Sequence, residues 1–207
     1  MRLGTGSPSH YFTPASAADD STRGRIVRFE DEGRVYRFRT APGMFSRGAV
    51  DRGTRLLLDA VSPEGTQTIL DLGCGYGPLG IVLAGRAPQA RVTLVDVNPR
   101  AAALAAGNIR DNGVPNADAR AGDGCAPVGD ARFDLIVLNP PIRAGRAVVV
   151  RLFREAHAHL ASGGRFYLVA RTSQGARTLA RCMGEVFGRV REAERGGGFR
   201  VYEGRDV

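Results

Sequence analysis

The stretch Asp71-Leu72-Gly73-Cys74-Gly75-Tyr76-Gly77-Pro78-Leu79-Gly80 joins a carboxylate, closely spaced glycines and the start of a helix. Glycine tolerates positive φ and lets backbone come close to a ligand, and a helix N-terminus adds unpaired N–H groups. Asp96 falls 23 residues after Gly73, at the end of the next expected strand, where a carboxylate accepts hydrogen bonds from ribose hydroxyls. The combination describes an adenosine-binding platform. Gly122-Asp123-Gly124 follows the third expected strand at the same sheet edge, and Asp123 is placed to accept from an adenine amino group; a turn Asp beside glycine is the plainer reading.

Gly75, Gly77 and Gly80 also satisfy GxGxxG, so a dinucleotide-binding domain competes for this loop. Charge separates the two ligands. A dinucleotide would set its pyrophosphate over the turn, with Asp71 facing two negative groups across a short gap. S-adenosylmethionine instead brings an ammonium and a sulfonium, which a carboxylate stabilises. The structural alternative is that Asp71 only caps the turn.

Asn139-Pro140-Pro141-Ile142 ends the fourth expected strand of this series, where ligands bind in open α/β sheets. Two prolines fix φ and hold the preceding residue extended, so the Asn139 amide stands at a defined angle. Its carbonyl oxygen, with the Pro140 carbonyl, can accept both hydrogens of an amino group and aim the nitrogen at an electrophilic methyl. Exocyclic amines are weak nucleophiles because their lone pair is delocalised; acceptors on their hydrogens favour the positive charge that develops during transfer. Ile142 adds an apolar surface for a flat target. An ordinary proline turn is the competing reading of the tetrapeptide.

Other reactive side chains fit less. Cys74, Cys125 and Cys182 are odd in number, form no CxxC pair and have no adjacent His, which argues against a disulfide framework, a zinc site or a thiol nucleophile. His157 and His159 are two apart on an expected helix and face different ways, so no metal is expected. Arg143, Arg146 and Arg151 follow the proline turn and could meet RNA phosphates, or form a solvated helix face.

The elements that must position these groups follow from the apolar pattern. Residues 1–24 are rich in Ser, Pro, Gly and Ala and read as a flexible arm; 25–44 hold a hairpin, Arg25 to Glu30 and Arg34 to Thr40; 45–207 form one Rossmann-like core. Strands are expected at Thr68 to Leu72, Arg91 to Val95, Ala117 to Ala121, Phe133 to Leu138 and Arg165 to Ala170. Helices begin near Gly77, Pro99, Gly145 and Ser173, and Gly188 to Arg195 with Gly198 to Glu203 form a closing hairpin. This alternation gives an α/β fold with a mostly parallel sheet and right-handed crossovers.

At 207 residues the chain suits one α/β domain with short extensions. No segment approaches the roughly 20 apolar residues of a membrane-spanning helix, and the first residues lack a signal-peptide core, so a cytoplasmic protein without a membrane partner is expected. The net charge of +8, carried by arginine without a single lysine, favours an anionic partner such as RNA, although a GC-rich genome explains arginine use equally well.

Asp71 to Gly80, Asp96, Asp123 and Asn139 to Ile142 resemble the motifs of class I S-adenosylmethionine-dependent methyltransferases. Phe45-Ser46, Val50-Asp51-Arg52-Gly53-Thr54, Asn139 to Gly145 and Ser173-Gln174-Gly175-Ala176 narrow the resemblance to small-domain methyltransferases related to the 16S rRNA guanine-N2 enzymes, from about Tyr11 to Tyr202. The resemblance implies a seven-stranded sheet with helices on both faces and an antiparallel last strand. It also implies S-adenosylmethionine as cofactor and methylation of a guanine N2 in 16S rRNA, as free RNA or in the small ribosomal subunit. Asp71, Gly73, Gly75, Gly77, Asp96 and Asp123 would bind the cofactor, with Phe45, Asp51 and Thr54 in a segment covering it; Asn139, Pro140, Pro141 and Ile142 would carry catalysis. The rRNA enzymes carry a second amino-terminal domain without counterpart here, and many relatives have lysine where this chain has Thr172-Ser173. Two alternatives stand beside this reading. One is a protein glutamine N5-methyltransferase, against which Ile142 counts because such enzymes present an aromatic residue there; the other is an RNA-binding module that no longer turns over.

Overall fold

A computed structural model describes residues 24–41, 48–63, 68–140 and 145–205. Two alternating runs, β1 (Arg25–Asp31) and β2 (Arg34–Thr40), pair antiparallel with Val27 opposite Phe38 and Phe29 opposite Tyr36. Their two-residue turn places both Glu32 and Gly33 at positive φ, the twist that a tight hairpin requires. The buried face of the hairpin, Val27, Phe29, Tyr36 and Phe38, joins the main core.

The hairpin is fastened at both ends. Arg86 reaches Asp31 at 2.6 Å with side-chain exposures of 12% and 9%, and also donates to the Leu58 and Val61 carbonyls. Asn108, fully buried, accepts from Arg39 N (2.8 Å) and donates to the carbonyls of Arg39 (3.0 Å) and Tyr76 (2.8 Å). One amide thus couples the hairpin to the glycine loop.

The remaining elements are α1 (Arg52–Ala60), β3 (Thr68–Leu72), α2 (Pro78–Arg86), β4 (Arg91–Asp96), α3 (Pro99–Asp111), β5 (Ala117–Ala121), β6 (Phe133–Leu138), α4 (Arg146–Ala158), β7 (Leu160–Arg171), α5 (Ala176–Phe187), β8 (Arg189–Gly196) and β9 (Phe199–Arg205). The seven-stranded sheet runs β5-β4-β3-β6-β7-β9-β8, parallel except that β9 lies antiparallel between β7 and β8. The seven-stranded Rossmann-like sheet, with its antiparallel last strand and separate hairpin, is therefore as expected.

β6 shows why the strand pattern was readable: Leu135 and Val137 enter one core cluster while Ile136 and Leu138 enter the other. The first cluster holds α1, α2, α3 and the hairpin, and the second holds α4 and α5, where Phe166 stacks on Phe187 at 4.7 Å. Each such fully buried side chain contributes roughly 1.5–3 kcal/mol of transfer free energy.

Two boundaries differ from the sequence pattern. The strand expected at Arg165 to Ala170 is longer: β7 begins at Leu160 and carries Ser162, Gly163 and Gly164 through a bulge opposite Phe133 and Leu135. Near Ser173 the chain makes only a short 3-10 turn, because Gly175 adopts a left-handed conformation and α5 starts after it. Strand order reverses between β3 and β6, which fixes the ligand crevice at the carboxyl ends of those two strands.

Candidate active site

A cavity of about 310 Å³ opens at that reversal point, a size suited to a small molecule. Its walls include Asp71, Gly73, Gly75, Asp96, Asp123 and Asn139, and also Asp51, Thr54 and Pro140. The fold thus gathers these predicted residues around one space. Gly77, the residue before α2, is not one of the wall residues, although Tyr76 and Pro78 on either side of it are. Phe45, Pro141, Ile142 and Arg143 lie outside the described residues, as do residues 1–23 and 42–44.

The glycines divide by role. Gly75 has φ 58° and a side chain added there would meet nothing within 4 Å, so its backbone faces open space. At Gly77, with φ 90°, a Cβ would come to 2.9 Å of Ile81 Cδ1 and 3.1 Å of Leu94 Cδ2, so this glycine brings helix and sheet together. Asp96 ties the loop to β4: Oδ2 accepts from Gly75 N and Oδ1 from Asn98 N, both at 2.8 Å. Each oxygen keeps a lone pair for a ligand.

Asp71 lies inside β3, 2% exposed, with Oδ2 accepting from Gly80 N at 2.8 Å. The capping reading of Asp71 is therefore part of its structure, together with its place on the cavity wall. Burial pushes its carboxyl up to about 7; the Gly80 bond opposes this rise and the Asp96 charge adds to it. A cation in the cavity would oppose this rise by Coulomb attraction to the carboxylate, whereas an anion would add to it. Tyr76 also lines the cavity, and its Oη is buried with no hydrogen-bond partner among the described residues, a group that a bound ligand can satisfy.

Asp123 is half committed. Its Oδ1 accepts from Arg151 at 2.7 Å, and the same guanidinium binds Glu155 at 2.6 Å, while Glu155 accepts from Cys125 N. Arg151 is therefore a clamp between the Asp123 loop and α4. Its side chain stays 43% exposed, so the solvated helix face expected of it stands beside this clamp.

At the other wall, Asn139 Nδ2 donates to Asp51 Oδ2 at 3.2 Å and to Thr54 Oγ1 at 3.0 Å, partners 88 and 85 residues away in sequence. Asp51 is the N-cap of α1: its Oδ1 accepts from Gly53 N and Thr54 N, and its Oδ2 accepts from Thr54 Oγ1 at 2.5 Å. The Asn139 Oδ1 has no partner among the described residues.

Cys74 and Cys125 do not resemble nucleophiles. Burial raises both thiols, Cys125 to about 12 and Cys74 well above its ordinary value, with neighbouring carboxylates adding to the rise. His159 bonds the Ala131 carbonyl at 2.7 Å and His157 packs edge-on against Phe187. Among the described residues no group of three or more His, Cys, Asp or Glu could hold a metal, and no helix is long and apolar enough to cross a membrane.

Sequence reasoning missed Asn108, a lone helical Asn, and Val97. Val97 is 66% exposed at the cavity lip, and the signal for it is an apolar residue directly after the expected ribose carboxylate.

Comparison with known proteins agrees with this geometry. The chain is 34% identical over 202 residues to the protein YbxB of Bacillus subtilis, covering 96% of this chain and 98% of that one. It is 35% identical over 168 residues to the ribosomal RNA small subunit methyltransferase C of an Enterobacter species, covering 79% of this chain and 48% of that protein. The chain thus spans about half the length of the methyltransferases of that name. Among solved structures it is similar to the 16S rRNA N2 methyltransferase of T. thermophilus in complex with AdoMet and guanosine. That match has a TM-score of 0.79 at 30% identity and covers 89% of this chain and 51% of that one. The model of the methyltransferase small domain family matches residues 35–203, so this chain belongs to the methyltransferase small domain family.

Proposed function

We propose that the chain is an S-adenosylmethionine-dependent N-methyltransferase of the cytoplasm whose target is an exocyclic amine, with guanine N2 of 16S rRNA as the leading substrate. The observation that carries this reading is one cavity with acidic groups on one wall, Asp71 among them buried, and on the other an amide oxygen without a partner among the described residues. Asp71, Gly73, Gly75, Gly77 and Asp96 would hold the cofactor, and Asp123 would offer its remaining oxygen to adenine. Bound there, the cofactor would supply an electrophilic methyl on a cationic sulfur.

Asn139 Oδ1 and the Pro140 carbonyl would accept the two hydrogens of the target amine and favour the charge that grows on its nitrogen. No strong base is required of the protein, since the nitrogen proton becomes acidic once the new bond forms and can leave to solvent. Buried Asp71 and half-buried Asp96 together disfavour the diphosphate that a dinucleotide would bring. Similarity to enzymes named for small-subunit rRNA and the arginine-borne charge of +8 support an RNA substrate.

The test is tritiated methyl incorporation into stripped small ribosomal subunits, free 16S rRNA and tRNA, followed by nucleoside analysis. Label in 16S rRNA as N2-methylguanosine is the expected result. Label in a protein glutamine, or none in any of these substrates, would overturn it.

A further inference from the structure

An asparagine amide has a donor end and an acceptor end, and catalysis by Asn139 needs the acceptor end to face the target. We propose that Asp51 and Thr54 are positioning residues that hold the Asn139 amide with its nitrogen inward and its oxygen toward the target amine. This inference rests on the role given to Asn139 above.

The proton count on the three side chains sets the direction. Thr54 has one hydroxyl proton, and the 2.5 Å bond to Asp51 Oδ2 uses it. Toward Asn139 the hydroxyl therefore presents only lone pairs. Asp51 Oδ2 also only accepts. Asn139 Nδ2 meets these two acceptors at 3.0 and 3.2 Å, which satisfies its donors. Turning the amide over would bring Oδ1 against the same two acceptors, or break the Thr54 to Asp51 bond to free a proton. Both leave a part-buried polar group unsatisfied.

The frame behind these groups is rigid. Thr54 is 3% exposed, and Asp51 Oδ1 is fixed by the Gly53 and Thr54 amides at the start of α1. A Cβ at Gly53 would come to 2.9 Å of both Asp51 Oδ1 and Phe199 Cε1, so the cap seats against β9 only because that residue is glycine. The Asp51 charge beside Nδ2 also polarises the amide and strengthens Oδ1 as an acceptor.

A helix cap alone would explain Asp51, and the variants separate the two roles. Asp51→Asn keeps the cap, because Asn and Asp cap equally well, but it replaces the Oδ2 acceptor with a donor. Thr54→Val keeps the shape without the hydroxyl, and Thr54→Ser restores the hydroxyl. The expected kcat for RNA methylation falls about 30- to 100-fold in Asp51→Asn and about tenfold in Thr54→Val, and returns to within about threefold in Thr54→Ser. Tm stays near wild type in Asp51→Asn and Thr54→Ser, and kcat read at saturating S-adenosylmethionine separates the positioning role from any contact of this segment with the cofactor.

A second readout needs no turnover. The Asn139 side-chain amide, assigned by its loss in Asn139→Asp, should exchange slowly with solvent in the wild type and faster in Asp51→Asn. Wild-type kcat in both Asp51→Asn and Thr54→Val overturns the positioning role. Unchanged exchange in Asp51→Asn overturns the bonded network itself. A wild-type chain that methylates none of the RNA substrates would instead refute the proposed function, and the exchange measurement would still decide the network.

Discussion

The two walls of the cavity are built differently. The wall around Asp71 and the glycines is nearly contiguous in sequence and closes by local bonds, such as Gly80 N to Asp71 across nine residues. The wall around Asn139 is assembled from distant segments, with its amide held by partners 85 and 88 residues away. Local chemistry suffices to make a surface that binds. Aiming an amide requires tertiary structure to deliver two acceptors to one nitrogen.

That contrast predicts separable losses. Asn139→Ala should lower methyl transfer by at least about 10²-fold while the cofactor Kd stays within about twofold, since the lost acceptor acts mainly in the transition state. Rapid-mix transfer assays beside calorimetry would check it. Full activity in this variant would contradict the division between the walls.

Asp71→Asn should do the reverse: weaken S-adenosylmethionine by about 30- to 100-fold through loss of a buried charge, and stabilise the ligand-free chain at pH 8. The sign follows from linkage. A carboxyl at about 7 when folded and 3.8 when unfolded binds more protons in the folded state, so its contribution to stability declines as pH rises between those values. Asparagine has no such decline. Thermal melts of both proteins at pH 5 and pH 8 would show whether the gap opens with pH.

How much of each wall was legible follows from the same difference. Phe133 to Leu138 stood out as a strand because every residue but Asp134 is buried on one face or the other. The glycine loop stood out because turn geometry restricts the residue types it accepts. Asp51 was placed near the cofactor from a resemblance, but no local pattern reveals that a helix cap touches Asn139. Arg151 was read as a surface cation because nothing in its neighbourhood on α4 announces Asp123, 28 residues upstream. Asn108 carried no signal at all, since its three bonds go to backbone that folding brings to it.

Asn108 links the hairpin to the binding wall, so Asn108→Ala should cost about 1–3 kcal/mol of stability by orphaning buried backbone groups, with a smaller loss of cofactor affinity than Asp71→Asn. Chemical denaturation and calorimetry on one sample would rank the two effects. An unchanged midpoint would mean that the hairpin is held without it.

The smallest expected effect is a pH dependence confined to the acidic wall. A cationic ligand prefers ionised Asp71, so affinity should rise about tenfold from pH 6 to pH 8 and flatten above. In Asp71→Asn the same titration should be flat, while Asp51→Asn should keep the wild-type slope.

The most direct measurement is isothermal calorimetry of the full chain at pH 8 with S-adenosylmethionine and, separately, with NAD. Saturable one-to-one binding of the sulfonium compound, weakened about 30- to 100-fold in Asp71→Asn, together with no heat from the dinucleotide, is the predicted result. Binding of NAD without binding of S-adenosylmethionine would contradict the assignment of the cavity.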